Sequence, residues 1–126
     1  MSLVPMPTPA TITATLMELL DAEVALQVLL EAKVRPAIAY HLATLMRLVR
    51  VETAQFQTQR DAMVRELGVP SGDQIVVAED QRAEFGRRIT ELSQVEVTLH
   101  ARPLTLEDLP DLTAADVLRL GPLLTV

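Results

Sequence analysis

The sequence contains no cysteine and very few aromatic residues, and each absence excludes a class of protein. Without cysteine there is no disulfide scaffold, thiolate zinc site, iron–sulfur cluster or cysteine nucleophile. Aromatic residues make up 2% of the 126 residues, too few to build a base-stacking surface. The net charge of -6 opposes binding to a phosphate backbone. We therefore expect no direct nucleic-acid partner.

Long uninterrupted apolar runs are also missing. The most apolar stretch, residues 16–30, is interrupted by Glu18, Asp21 and Glu23, whereas a membrane-spanning helix needs ~20 mostly apolar residues. The opening MSLVPMPTPATI lacks the basic start and the apolar stretch of a secretory signal. We therefore expect no membrane partner.

Motifs that carry catalysis or hold a metal are absent as well. The sequence has no Gly-rich phosphate loop, nucleophile elbow or zincin motif. Its only histidines, His41 and His100, are not at metal-ligand spacing. Glu79–Asp80 and Glu107–Asp108 are adjacent pairs, whose side chains point in different directions on a helix and form no ready acid–base pair. We expect a non-enzymatic protein with no catalytic residue, no metal site and no cofactor.

The residues that are present fit one packed domain. Apolar residues make up 49% of the chain and charged residues 22%, which is typical of a globular domain. Pro5, Pro7 and Pro9 restrict the residues before them to extended conformations, so residues 1–9 are interpreted as a Pro-rich N-terminal arm. Residues 10–126 are then expected to form a single elongated helical-hairpin domain with a C-terminal Leu-rich packing segment.

Two helices are predicted in the first half of the chain. Thr15 and Glu18 fit a capping box that starts a first helix, which should run to Ala32. Pro36 suits the first position of a second helix, with Gly68 as its C-terminal cap. A helix over that range would be ~48 Å long, whereas a compact chain of this size has a radius of gyration of ~14 Å. The protein is therefore elongated, or this helix projects and needs a partner.

The second helix carries a heptad seam of apolar residues, with Glu52 and Gln59 as two polar positions in its second half. Two interpretations are open. The seam packs within the chain, or it builds a homo-oligomer whose register Glu52 and Gln59 set. The candidate interaction residues on this helix are Ile38, Leu42, Leu45, Val49, Phe56 and Met63.

The second half of the chain alternates short strands with a third helix. A turn is predicted at 68–72, a short strand at 74–78 and a helix at 79–94, and the second and third helices most simply form an antiparallel hairpin. Residues 95–101 alternate apolar and polar side chains, which predicts a half-buried strand pairing with a strand at 10–15. The expected fold class is mainly α, within α+β: a long antiparallel helical hairpin, a short N-terminal helix and a small two- or three-stranded antiparallel sheet.

The C-terminal segment is rich in leucine and in acidic residues. A short helix is predicted to start at Thr113 and to stop at Gly121. The segment either covers the hairpin and completes the core, or docks on a partner as a helix in a groove or an added strand. In the second case its acids favour a basic partner. The candidate interaction residues here are Leu106, Leu109, Leu112, Leu120 and Leu123.

The order of these features resembles a known family. The basic–Pro step VRPAIAYHLATLMRL leads into a long helix with FQTQRDAMVRELG near its end, followed by VEVTLHARPLTLEDL and LTAADVLRLGPLL. This order resembles a family of short phage-encoded proteins of unknown function that are often seen among virion and tail genes. The resemblance implies a structural or assembly role in a bacteriophage particle. It also implies that the partners are other virion proteins or further copies of the chain, and that the location is the virion or the host cytoplasm. The alternative is an acidic regulatory binder or inhibitor of a host protein.

Overall fold

The computed structural model describes residues 10–125, so the predicted N-terminal arm at residues 1–9 lies outside the described residues. The strand β1 (Ile12–Thr15) leads directly into the helix α1 (Leu16–Leu30). The Thr15 hydroxyl accepts a hydrogen bond from the Glu18 amide at 3.2 Å, and the Glu18 carboxylate accepts one from the Thr15 amide at 2.9 Å. The predicted capping box is confirmed, and α1 ends two residues before the predicted position.

The second helix, α2 (Pro36–Leu67), has the predicted bounds, and Pro36 occupies its first turn where no backbone donor is needed. Gly68 is the C-terminal cap residue of α2, as predicted. Its φ of -100° is extended and the chain passes directly into a strand, so the cap is not left-handed. A Cβ at this position would collide with the carbonyl oxygen of Val64. Glycine is therefore needed here because there is no space for a side chain.

The main helical pair is α1 with α2. Thr53 donates to the Glu23 carboxylate at 2.6 Å and Arg50 donates to the Gln27 side chain at 2.7 Å. Glu23 on α1 contacts Thr53 on α2, whereas the later residue Gln27 contacts the earlier residue Arg50. The two helices are therefore antiparallel. Contact of α2 with α1 is much larger than its contact with the third helix, so the predicted long hairpin of the second and third helices is not confirmed.

Short elements complete the chain, and they include a strand where a turn was predicted at residues 68–72. Within residues 10–125 the strands form three separate pairs rather than one sheet: β1 with β4 and β2 with β3 are antiparallel, and β5 with β6 is parallel. The β1–β4 pairing is the one predicted from the alternating pattern. The bounds are β2 (Gly68–Ser71), β3 (Gln74–Val77), α3 (Arg82–Ser93), β4 (Glu96–Leu99), β5 (Leu104–Thr105), α4 (Ala114–Leu120) and β6 (Leu124–Thr125).

One hydrophobic core joins β1, α1, the part of α2 up to Phe56, β4 and the C-terminal segment. Fully burying an aliphatic side chain of this size contributes roughly 1.5–3 kcal/mol, so this cluster stabilises the fold. The short helix α4 lies on α1, and the Thr113 hydroxyl caps it by accepting from the Asp116 amide at 3.1 Å, as predicted. The largest fully buried side chains are Leu19, Leu26, Leu29, Leu42, Leu45, Val49, Leu104, Leu120 and Leu123.

Candidate interaction surface

The molecule divides into a body that contains this core and a distal arm, which we define as residues 57–92. The arm comprises the end of α2, the ribbon of β2 and β3, and nearly all of α3. No residue between Phe56 and Ser93 is buried. At 1.5 Å per residue, the part of α2 beyond Phe56 extends about 16 Å past the core. The end of α2 therefore extends beyond the buried core.

Half-buried apolar side chains come from all three parts of the arm. They include Met63, Val64 and Leu67 on α2, Val77 on β3, and Phe85, Ile89 and Leu92 on α3, of which Leu92 also packs against the core of the body. Each keeps part of its surface in water, and the hydrophobic contribution is proportional to the apolar area removed from water. The arm therefore gains less stability per apolar residue than the body does.

An ion-pair network joins α3 to the end of α2. Arg88 donates to Glu84 on its own helix at 2.8 Å and to Glu66 on α2 at 3.0 Å. Arg87 donates to Glu84 and to Glu91, each at 2.6 Å. These hydrogen bonds from Arg87 and then Arg88 lower the pKa of Glu84 to about 2. Since both guanidiniums have carboxylate partners, the pair does not form an unoccupied anion site.

The ribbon at the tip of the arm exposes apolar side chains. Its loop is two residues long, and Gly72 at the first loop position has a φ of +63°, as a type II′ hairpin turn requires. Val69 and Ile75 are each 47% exposed, and Val76 is 42% exposed. An isolated two-stranded ribbon is only marginally stable in water, and this one is supported by its contact with α2. Its exposed apolar side chains are the part of the arm with most to gain from a partner.

The structure separates the candidate interaction residues into two groups. Four have partly accessible side chains (Ile38, Met63, Leu109 and Leu112), and Leu106 is 41% exposed. The other six lie in the chain's own core, so at these positions the seam and the C-terminal segment pack within the chain. These six are Leu42, Leu45, Val49, Phe56, Leu120 and Leu123.

Sequence reasoning missed the exposed valines and isoleucine of the ribbon. The segment GVPSG was interpreted as a turn because it combines two glycines with a proline. The signal that could have identified the hairpin is the dipeptide Gly72–Asp73, which suits a two-residue hairpin loop, shortly before the β-branched run at 75–77. The strand before the loop was obscured because Val69 is its only β-branched residue and because proline, here Pro70, is confined to edge positions in strands.

A cleft of about 430 Å³ lies at the opposite end of α2, between its first turns and the segment 102–109. His41 lines it and donates from Nε2 to the carbonyl oxygen of Arg102 at 2.7 Å. Arg35 forms an ion pair with Asp108 at 3.2 Å beside it. Both contacts tie the start of α2 to the C-terminal segment, which is a structural role.

Neither a metal-binding cluster nor a membrane-spanning helix is present in residues 10–125. In this range no group of three or more histidine, aspartate or glutamate side chains is placed to hold a metal ion. No helix of the described chain combines the length and the apolar composition needed to cross a membrane. The distal arm is thus the feature of the described residues that most needs a functional explanation.

Comparison with protein-family models, with curated proteins and with solved structures gives no match.

Proposed function

We propose that this protein is a non-enzymatic structural or assembly protein of a bacteriophage particle, which acts by protein–protein interaction through its distal arm. The observation that carries this proposal is the absence of any buried side chain across residues 57–92. Exposed apolar side chains grouped on a protein surface mark interaction sites. On the ribbon, the directly opposed Val69 and Val76 are exposed on one face, and Ile75 is exposed on the other. Contact with a second molecule would remove this apolar area from water and stabilise the arm.

The partners in this proposal are other virion proteins, further copies of this chain, or both. The part of α2 beyond Phe56 and α3 would act together as the long helical hairpin of the sequence-based prediction. The bond from Arg88 to Glu66 supports this, because it fastens α3 to the end of α2. The ribbon would then be the tip that meets the partner.

The bacteriophage context rests on the resemblance in the order of sequence features. It is tested by purifying particles of the virus whose genome encodes the chain and measuring their composition by quantitative mass spectrometry. We expect a fixed copy number that matches a symmetry of the particle. Particles that lack the protein would contradict a role in the virion.

The alternative function is an acidic regulatory binder or inhibitor of a host protein. One observation favours it: Leu118 is 81% exposed on the body, close in sequence to the acidic Asp111 and Asp116. A complex between acidic side chains and a basic partner weakens as salt screens the attraction.

Salt therefore distinguishes the two functions. Copies of a chain with a net charge of -6 repel one another, so salt strengthens their association. The test is sedimentation velocity of the purified protein at low and high ionic strength, together with a pull-down from host lysate under the same conditions. Self-association that grows with salt supports the assembly role. Salt-sensitive capture of one basic host protein by a monomeric chain supports the inhibitor.

A further inference from the structure

The two outer edges of the ribbon differ in whether they can pair with a further strand. The edge of β2 is blocked, whereas the edge of β3 has unpaired backbone groups, and this difference follows from the hydrogen-bonding pattern of the ribbon. Because the loop is two residues long, Ser71 and Gln74 form a hydrogen-bonded pair, and pairs of this kind alternate along an antiparallel ladder. The Ala78 amide donates to the Leu67 carbonyl oxygen at 3.0 Å, as this alternation requires. The backbone groups of the intervening pairs, Pro70 with Ile75 and Gly68 with Val77, therefore point outward.

Pro70 closes the edge of β2. It has no backbone N–H, and it stands at a position whose N–H would point away from β3, so it blocks pairing without costing a bond inside the ribbon. The other outward position of β2 is Gly68, which lies tight against the carbonyl oxygen of Val64 on the last turn of α2. Neither position of this edge is free to accept a further strand.

The edge of β3 is open. Ile75 and Val77 both have outward N–H and C=O groups, and none of the hydrogen bonds found in residues 10–125 uses them. The four residues of β3 carry no charge and no proline, so the strand has none of the usual features that block edge pairing. An unpaired strand edge of this kind is a template for another strand.

We propose that β3 pairs antiparallel with β3 of a second copy of this chain across a two-fold axis, which joins the two ribbons into a four-stranded sheet. This inference rests on the proposed function and names the partner at the tip of the arm. Only one antiparallel register pairs both outward residues of each copy within β3. In that register Ile75 lies opposite Val77 of the second copy, and Val76 lies beside Val76 of the second copy at the two-fold axis.

Two observations favour a second copy over a different protein. Each ribbon offers a single open edge, so pairing of identical chains closes at two and leaves no edge for growth into a fibre. The strand is uncharged, so two copies of β3 can pair without placing like charges opposite one another within the strand. The same register brings Asp73 near Glu79 of the second copy at each end, and salt should therefore tighten the dimer.

The first test uses the absence of cysteine to read out the register. In a Val76→Cys variant the two sulfurs would meet across the two-fold axis, at a non-hydrogen-bonded pair with Cα atoms roughly 4.5 Å apart, which a disulfide can bridge. We expect rapid formation of a covalent dimer under mild oxidation. The matched control is Leu118→Cys, which puts an exposed thiol on the body. Equal rates for the two variants would overturn the proposal.

The second test removes a hydrogen-bond donor from the open edge only. Ile75→Pro deletes the outward N–H and, like Pro70 opposite it, leaves every ladder bond of the ribbon in place. Two hydrogen bonds are lost per dimer, so we expect the dissociation constant from sedimentation to rise about tenfold or more. Ile75→Thr is the control, because it keeps the donor and a β-branched side chain.

The outcomes separate this proposal from the function on which it rests. A wild-type chain that self-associates while Ile75→Pro and Ile75→Thr associate equally well overturns the strand pairing and leaves the assembly role standing. A wild-type chain that stays monomeric across two decades of concentration at high salt overturns the pairing of copies directly. Preferential Val76→Cys cross-linking together with selective loss in Ile75→Pro supports it.

Discussion

The body and the distal arm share one helix and differ in what covers it. Between Leu42 and Phe56 the apolar seam of α2 is buried against α1, whereas at Met63 and Leu67 the same seam keeps part of its surface in water. The heptad spacing is continuous through both halves. The heptad spacing thus indicates that a helix has an apolar face. Which segment covers that face depends on how the rest of the chain folds back onto it.

The two regions should also differ in how they open. Segments with few buried apolar contacts and exposed backbone hydrogen bonds unfold locally at a lower free energy than the core does. The arm meets that description, since its α3 is held to α2 by half-buried side chains and by solvent-exposed ion pairs.

Truncation of a core leucine should affect the whole body. Leu26 is fully buried between α1 and its neighbours, so Leu26→Ala should lower the free energy of unfolding by about 2–5 kcal/mol. The corresponding change in the arm, Met63→Ala, should cost about 1 kcal/mol or less. Chemical denaturation measures both, and Leu26→Met serves as the volume-conserving control. Similar losses for Leu26→Ala and Met63→Ala would contradict the division into two regions.

Two glycines of the arm should respond in opposite directions to the same substitution. Gly68→Ala places a Cβ against the Val64 carbonyl at the junction of α2 and the ribbon, so it should destabilise the ribbon by at least about 1 kcal/mol. Gly86→Ala meets open space inside α3 and should stabilise that helix by up to about 1 kcal/mol. Amide hydrogen exchange of the arm reports both changes. Equal effects at the two positions would mean that the tight approach at Gly68 carries no cost.

The smallest effect concerns the ion pairs of α3. Because Arg87 and Arg88 lower the pKa of Glu84 to about 2, the carboxylate contributes stability that is fully present above its ordinary pKa of 4.5. That contribution is lost as the pH falls from 4.5 through 2. Glu84→Gln should remove this part of the acid sensitivity of the arm, measured by hydrogen exchange or helical circular dichroism at low salt. Identical acid profiles for the variant and the wild type would show that the network does not stabilise the arm.

Much of the body was predictable because its signals are local. The capping box at Thr15 and Glu18, the bounds of α2 and the cap at Thr113 depend on residues within four positions of one another. The pairing of β1 with β4 was also predicted. The alternating pattern of β4 indicates a half-buried strand, and such a strand needs a partner strand.

The errors concern contacts between distant segments. The seam of α2 could pack against either neighbouring helix, and the choice of α1 depends on how the short loop at residues 31–35 returns the chain. The first strand of the ribbon was missed because Pro70 is typical of a turn, whereas here it occupies an outward edge position. The second strand, β3, lies where a strand was predicted. The candidate surface at Ile75 and Val76 therefore required the register of the ribbon, which local patterns do not contain.

We propose that the arm, and not the body, is completed by a second molecule. Amide hydrogen exchange of the wild-type chain, measured across two decades of protein concentration at high salt, tests this proposal. We expect protection of residues 68–78 to increase with concentration while protection of α1 stays constant. Protection of the ribbon that does not change with concentration, in a chain whose α1 is stably protected, would contradict the account.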